Sequence, residues 1–534
     1  MPVAFSPSSR PALVSALTTT PFDVLVIGGG IVGAGTARDA ALRGLRVALV
    51  EREDFASGTS SRSSRLIHGG LRYLEHGQLH LVFEASRERR TLMHVAPHLV
   101  RPLQFVWPMF DHARIAPWKV RAGLTLYDAL ALFRNVSRHR VVNAGAVTAI
   151  EPALRQSGLR GGAVYFDATT DDARLTLANA RAAHDAGATV VSRVEVNRLL
   201  LDTGAVRGAC ARDVLTGRTI DITARMVVNA TGPWSDTIRR LADPDATPSV
   251  RGTKGVHIAL PRARVGNTGA LTLLSPIDGR VFFVLPAGQT TIVGTTDTDY
   301  DGSLDAVRAT PADVAYLLRS ANAYFPATAL VAADVVAAWA GIRPLIGGDA
   351  HHPDALSREH AVTFTAPGLI TVTGGKLTTY RVMAHDVANA AQRALGQPVR
   401  PADTAHLPLP GGAITSMDAE RDDAEHRTGS RDLATHLVFR YGTEWRDVWS
   451  LAEHDRGLAR PLASPLPDIA AELQWAVDHE MALSLGDLLI RRLHLAFETA
   501  DHGRAVAQAI AAQFGWQNTE VERYAAEAHA IFGV

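Results

Sequence analysis

The sequence predicts an α/β protein in which a doubly wound parallel sheet is interleaved with an antiparallel β-rich domain and followed by an all-α C-terminal domain. Three observations carry this. The apolar run Asp23-Val24-Leu25-Val26-Ile27 ends in glycines and leads into the Ala-rich stretch Ile31 to Arg43 and then the β-branched run Arg46 to Val50, which together make a βαβ unit. Between 251 and 300 the texture changes to short β-rich segments around a Pro286-Ala287-Gly288 turn. Beyond 412 the pattern is helical, with Ile469, Leu473, Ala476 and Val477 at helical spacing and Asp468 expected as their cap.

From the N-terminus, residues 1–20 mix Ser, Thr and Pro with Arg10 as the one charge; they lack the apolar stretch of a signal peptide and are expected to form a loose arm. Residues 21–397 hold the two interleaved domains, with roughly 81–160 and 245–350 assigned to the β-rich one. Asp172 to Ala186 reads as helix and Thr189 to Val196 as strand. Ile222 to Asn229 reads as a further strand ending at Ala230-Thr231-Gly232, a second pass through the first sheet. Segments of the same type return at 360–395. Four prolines between 398 and 410, then Gly411-Gly412, mark 398–412 as a linker to the helical domain, 413–534.

A chain of 534 residues with 47% hydrophobic content is too long for one ordinary domain and ample for a large core. Lys+Arg and Asp+Glu both number 54, which argues against a nucleic-acid partner and requires any membrane attraction to be local. The single cysteine, Cys210, excludes an internal disulfide framework and a Cys-ligated metal cluster; no metal site is assigned, and a lone thiol suits a reducing cytosol. No uninterrupted apolar run is long enough for a spanning helix. Only Lys119, Lys254 and Lys376 are lysine among the 54 basic residues, so the chain uses Arg wherever a cation suffices.

Gly28-x-Gly30-x-x-Gly33 follows a strand and opens a helix, and Glu51 closes the next strand 18 residues beyond the last glycine. Bare backbone lets a diphosphate approach, the helix N-H groups stabilise its charge, and Glu51 can accept both ribose hydroxyls. That spacing specifies a dinucleotide. No second glycine triplet follows a strand, and the Ala230-Thr231-Gly232 strand end returns toward the first glycine loop, so FAD is favoured over NAD.

The segment Gly58-Thr59-Ser60-Ser61-Arg62-Ser63-Ser64-Arg65-Leu66-Ile67-His68-Gly69-Gly70-Leu71-Arg72-Tyr73-Leu74-Glu75 closely resembles the N-terminal signature of the FAD-dependent glycerol-3-phosphate dehydrogenase family. Further matches run through Asp171 to Leu175, Val228 to Trp234, Lys254 to Ile258, Gly294 to Asp297, Gly341 to Leu345, Gly374 to Arg381 and Val477 to Glu480. The resemblance covers about residues 20–530. It implies a doubly wound FAD-binding domain, an antiparallel substrate domain and a helical C-terminal domain. It also implies FAD as cofactor, sn-glycerol 3-phosphate as substrate and, in respiratory members, ubiquinone or menaquinone as acceptor. The FAD contacts it points to are Gly28, Gly30, Gly33, Glu51, Arg52, Ser60, Ser61, Val194, Thr231, Gly232, Gly375, Lys376, Leu377 and Thr378. No flavin-tethering motif is evident, so the cofactor is expected to be noncovalent.

Hydride must leave substrate C2 for flavin N5 while a base takes the hydroxyl proton, and reduced flavin needs positive potential near N1 and O2. Gly374-Gly375-Lys376-Leu377-Thr378 ahead of a helix supplies such potential, and Lys376 adds a full charge in a chain that otherwise prefers Arg. The substrate phosphate calls for clustered guanidinium forks: Arg72, Arg343 and Arg358 are the candidates, with Tyr73 beside them. Arg343 leads, and an ordinary surface pairing is the alternative for Arg72 and Arg358. His68 and His257 compete as general base, imidazole having the best unshifted pKa, while the high pKa of Arg343 disfavours it.

Pro117-Trp118-Lys119-Val120-Arg121 leads into Leu124, Leu126, Tyr127, Leu130, Leu132, Phe133 and Arg134, which reads either as an amphipathic helix lying in a headgroup layer or as a core helix. The first reading places the protein in the cytoplasm, peripheral on the inner face of the cell membrane. A homodimer is left open. The rival functions are a glycerol-3-phosphate oxidase using oxygen, an amine oxidase of the same fold, and a non-redox binding module; the long signature match and intact Glu51 and Lys376 disfavour the last two.

Overall fold

The computed structural model of the chain describes residues 4–70, 78–111, 117–132, 136–346 and 359–533. One sheet is doubly wound. Its parallel strands run in the order Leu369–Gly374, Thr219–Asn229, Phe22–Ile27, Val47–Glu51, Thr189–Ser192, with His360–Ala366 antiparallel at one edge and a hairpin, Val194–Asp202 and Ala205–Asp213, extending from Thr219–Asn229. Phe22–Ile27 is buried at every position, as a central parallel strand must be. Ile27 stands opposite Val50 and Asn229, so the C-terminal strand ends line up along one edge, where open α/β sheets bind ligands.

The second sheet is mixed and mainly antiparallel. Val250–Pro261 lies between Ala337–Ile346 and Thr290–Gly294, and the sheet continues through Val281–Ala287, Ala270–Leu274, Val100–Phe110 and Leu159–Thr170 to the short strand Leu66–Ile67. Ala270–Leu274 pairs parallel with Val100–Phe110, the one departure from the expected antiparallel pattern among the described strand pairs of this sheet. The turn Thr59–Ser61 links this sheet to the glycine loop: the Thr59 hydroxyl donates to the Ile342 carbonyl at 2.7 Å, and the Ser60 hydroxyl accepts from the Ile31 amide. The C-terminal part is helical from Met417–Thr428 to Asn518–Phe532.

Four local expectations are corrected. Residues 1–20 are not a loose arm: Arg10–Thr19 is a helix with Pro at its first turn, Leu13 and Leu17 are buried, and the buried Arg10 guanidinium donates to Asp213 and to the Ser192 and Arg193 carbonyls. Thr189 to Val196 is two strands, broken at Arg193, whose φ is +61°. Asp468 does not cap: the helix starts at Ala470, Glu472 accepts from the Ile469 amide, and Asp468 instead accepts from Arg440. The stretch 398–412 is packed rather than free, with Leu409 buried, Thr404 bonded to Arg381 and the Leu407 carbonyl to Arg38.

Candidate active site

The glycine loop has the shape a diphosphate needs. Gly28 has φ +109°, and a Cβ there would stand 2.8 Å from the Ala230 carbonyl oxygen, so both conformation and close approach exclude a side chain. The helix Ile31–Leu42 begins without a side-chain cap on its first residue, although Ser60 Oγ accepts from the Ile31 amide at 3.0 Å. That leaves first-turn N-H groups directed at the loop. Glu51 Oε2 accepts from the Gly29 amide at 2.6 Å and Oε1 from the Glu53 amide at 2.8 Å, which fixes the carboxylate and leaves lone pairs on both oxygens. Burial pushes its carboxyl up, against the two amides. These residues fit the adenosine diphosphate half of FAD.

The other expected cofactor residues surround the same strand ends. Glu51 stands opposite Ser192, two residues before buried Val194. Ser61 is buried in the turn Thr59–Ser61. Thr231 donates to Asn229 Oδ1, and Gly232 has φ +56°. Gly375 has φ +82° and is followed by Lys376, Leu377 and Thr378 at the start of a helical segment. Arg52 is already engaged, its guanidinium 4.7 Å over the Trp234 ring and ion-paired with Asp305 of the second domain.

Strand alternation sorts the substrate-side motifs. Along Val250–Pro261, Val256, Ile258 and Leu260 pack into a core with the helix Pro311–Asn322, and Lys254 lies on that face. Its ammonium, nine-tenths buried, donates to Asp313 Oδ2 at 2.7 Å, the residue that closes the capping box of that helix. Gly255 and His257 lie on the opposite face, toward the signature segment: Ser64 Oγ is 2.8 Å from His257 Nε2, and the neighbouring Gly341 faces the Arg62 carbonyl. His257 is stacked on Trp339 at 5.5 Å, and its Nδ1 has no hydrogen-bond partner among the described residues. Burial first, then Arg343 and Arg65, pull its pKa down to about 3, so the ring is neutral.

Arg343 shares that face. Its guanidinium lies across Gly255, where any Cβ would collide with it. Asp297 Oδ1 accepts from one terminal nitrogen at 3.0 Å, and Thr295 Oγ1 and the Thr296 carbonyl accept from the other. Gly255 and His257 are two residues apart, about 7 Å along the strand. His68 is half-buried, and the Thr378 hydroxyl bridges its amide and carbonyl at 3.2 and 3.3 Å. Lys376 is half-buried near Glu84, whose carboxyl burial pushes up, against the opposing charges of His360, His80 and Lys376. Arg72, Tyr73 and Arg358 lie outside the described residues.

Several supporting residues escaped the sequence reading. Ser64, Thr295 and Asp297 stand inside quoted motifs, but nothing in their spacing says which side chains they hold. Tyr127 lies in a segment whose pattern fits an amphipathic or a core helix, and neither reading gives its hydroxyl a task; it accepts from the Gly69 amide at 2.9 Å and from Arg89, and donates to Asp167 at 2.6 Å. The signature segment is thereby anchored on one side by that buried cluster and on the other by Thr378.

Residues 23–381 match the FAD dependent oxidoreductase family and residues 402–521 the C-terminal domain of alpha-glycerophosphate oxidase. The chain is 40% identical over 529 residues to glycerol-3-phosphate dehydrogenase 2 of Mycobacterium bovis, covering 97% of this chain and 89% of the relative. It is 34% identical to the aerobic glycerol-3-phosphate dehydrogenase of Bacillus subtilis, covering 91% and 90%. The glycerol-3-phosphate dehydrogenase of Bacillus halodurans, solved with FAD, superposes with TM-score 0.82 at 32% identity over 99% of this chain and 98% of that one. Glycine oxidase of Geobacillus kaustophilus, at 21% identity and TM-score 0.56, shares the fold over 73% of this chain and 99% of that one. With the glycine loop, the Glu51 carboxylate and the His257 and Arg343 face in one molecule, and relatives this similar along nearly its whole length, the chain belongs to the FAD-dependent glycerol-3-phosphate dehydrogenase family.

Proposed function

We propose that this enzyme oxidises sn-glycerol 3-phosphate to dihydroxyacetone phosphate and delivers the electrons to a quinone at a membrane surface rather than to oxygen. When bound, FAD accepts the substrate hydride and returns its electrons to the acceptor. Arg343, whose guanidinium Asp297 and Thr295 hold in place, binds the substrate phosphate, and His257 receives the C2 hydroxyl proton at Nδ1. Two features support the second assignment. The ring is neutral, as a base must be, and its basicity is held down in part by Arg343; a phosphate on that guanidinium offsets the charge and raises His257's proton affinity only when substrate is present. Lys376, just ahead of the helical segment that begins at Leu377, supplies positive potential for the cofactor.

The observation that carries the quinone reading is the helix Pro117–Leu130. Val120, Leu124 and Tyr127 are buried, so one face belongs to the protein core. Trp118, Lys119, Arg121 and Leu126 are exposed on the rest, Trp118 by 68%, and the Lys119 ammonium lies 5.7 Å from the Trp118 ring. Leu132, just beyond, is 56% exposed. Aromatic, aliphatic and basic groups together suit a headgroup layer, where a lipid-soluble quinone is reached without crossing the bilayer. No helix among the described residues is long and apolar enough to cross a membrane. The deciding experiment is steady-state oxidation of glycerol 3-phosphate with a short-chain quinone, against oxygen alone. Quinone should sustain turnover far above oxygen; equal rates would make the enzyme an oxidase.

A further inference from the structure

The residues just after Glu51 are held by a part of the chain more than 400 positions away. Asp54 is completely buried, and its carboxylate takes three hydrogen bonds from two consecutive arginines of the C-terminal domain: Arg491 Nε to Oδ2 at 2.7 Å, and Arg492 to Oδ2 at 2.8 Å and to Oδ1 at 3.0 Å. The turn that carries them, Asp487–Arg492, is a π-helix. A single wide π turn is an uncommon element found mostly at functional sites, and here it presents two successive side chains to one acceptor. A second tie runs alongside. Arg193 donates to Glu53 at 2.6 Å and to Asp487 at 2.7 Å, and its amide donates to the Glu53 carbonyl.

The loop so held is the one that shapes the ribose carboxylate. Glu51 takes its orientation from the Gly29 and Glu53 amides, and the Ala56 amide bonds back to the Gly29 carbonyl. Ala56 itself has φ +65°, a conformation a non-glycine residue keeps only when its surroundings enforce it. A fully buried ion pair adds little net stability over an apolar contact of the same shape, because desolvation consumes most of its attraction. What Asp54 between two guanidinium groups adds is a fixed direction for the loop.

We propose that Asp54 is a positioning residue for the cofactor, and that the C-terminal helical domain, through Arg491 and Arg492, holds the Glu51 to Ala56 loop in its ribose-binding shape. FAD binding and docking of the helical domain are then linked: each strengthens the other by the same factor. The helical domain is on this reading a cofactor-retention device as well as a cover.

The test uses the full chain, with FAD titrated into apoprotein and followed by flavin fluorescence quenching, together with melting temperatures of apo and holo forms. Asp54→Asn should raise the FAD dissociation constant by about ten-fold or more, the loss of hydrogen bonds to charged groups transmitted to the ribose site. Arg181→Gln is the control: it breaks other interdomain ion pairs, with Glu444 at 2.8 Å and with Glu480 at 3.9 Å, and removes no bond to Asp54 or to the Glu51 to Ala56 loop. It should lower both melting temperatures with FAD affinity unchanged. In the wild type FAD should slow proteolysis within 413–533, and in Asp54→Asn it should no longer do so. If Asp54→Asn yields no soluble protein, Arg492→Lys, which keeps the charge and loses the fork, is measured by the same criterion, with a rise of about three-fold expected. FAD affinity that is unchanged in the Asp54 or Arg492 variant, or reduced no more than in Arg181→Gln, overturns the proposal. Failure of the wild type to bind FAD would instead overturn the cofactor assignment on which it rests.

Discussion

The two faces of the strand Val250–Pro261 present neighbouring residues of one motif to opposite tasks. His257 and the guanidinium of Arg343 look toward the signature segment, in a setting that keeps the imidazole neutral and gives its Nδ1 no hydrogen-bond partner among the described residues. Lys254, three residues earlier, looks the other way and closes an ion pair with the capping residue of a core helix. Lys254 is one of only three lysines in a sequence that otherwise uses Arg for its cations. It is special for packing: a compact ammonium fits a buried cap where a planar fork does not. Rarity of residue type therefore marks constraint, and strand alternation decides what the constraint serves.

The largest expected effect breaks the chemical face. His257→Gln should lower kcat by about 10²- to 10⁴-fold, the usual contribution of a positioned base, with bound FAD retained. Absorbance of the purified variant checks the cofactor, and stopped-flow flavin reduction checks the step. Normal flavin reduction would return the base role to His68. Next is Arg343→Ala, expected to lower kcat/KM for glycerol 3-phosphate by about 10- to 100-fold, corresponding to about 1.5 to 3 kcal/mol for a lost contact to a charged group. Glycerol and other uncharged polyols should hardly be affected. Equal losses on both would remove the phosphate role.

The opposite face should respond in stability alone. Lys254→Met removes one partner of a buried pair and is expected to cost about 3 kcal/mol, the low end for such a break because Asp313 keeps its bonds to Thr310. Denaturant unfolding measures this, and turnover per folded molecule should stay at the wild-type level. A smaller effect separates the faces by pH. His257's pKa is about 3 in the folded chain against an ordinary 6.5, so the folded state binds fewer protons than the unfolded state between those values. Its neutral ring supports the fold fully above pH 6.5, and that support is lost as pH falls toward 3. His257→Gln should thus flatten the decline of melting temperature between pH 6.5 and 5, and Lys254→Met should leave its slope unchanged.

How far the sequence could be read follows the range of the interactions. The glycine loop and Glu51 were legible because backbone approach and helix-terminus charge demand fixed residues at fixed local spacing. The helix from Asp172 and the strand that ends at Asn229 were legible from periodicity. The Arg10–Thr19 helix was missed although Pro11 at its start and the Leu13, Leu17 spacing signal it; the Ser and Thr around it hid a pattern only three turns long. Arg193, turned at positive φ between two strands, gives no compositional sign. Least legible were the long-range polar ties: Ser64 on His257, Tyr127 on Gly69, and Asp54 on Arg491 and Arg492. Each needs knowledge of which distant segments meet, and no local period encodes that.

The same two-sidedness recurs on the helix Pro117–Leu130 and gives the smallest and last test. The sequence left a choice between a core helix and a membrane-surface helix, and the structure buries one face of it and exposes the other. Tyr127 holds Gly69 from the inner face, while Trp118, Lys119, Arg121 and Leu126 are exposed. If the outer face meets lipid, wild-type protein should float with anionic vesicles. Replacing Trp118, Lys119 and Arg121 together with Ala should weaken vesicle affinity by about 30-fold, each of the two basic groups near an anionic surface being worth about 1 kcal/mol, without loss of dye-linked activity. Changing Tyr127 to Phe should do the reverse, leaving flotation intact and disturbing turnover through Gly69. Flotation unchanged by the triple replacement would assign membrane contact to another surface, and a wild type that stays at the bottom of the gradient would favour an oxygen-reducing enzyme over a quinone-linked one.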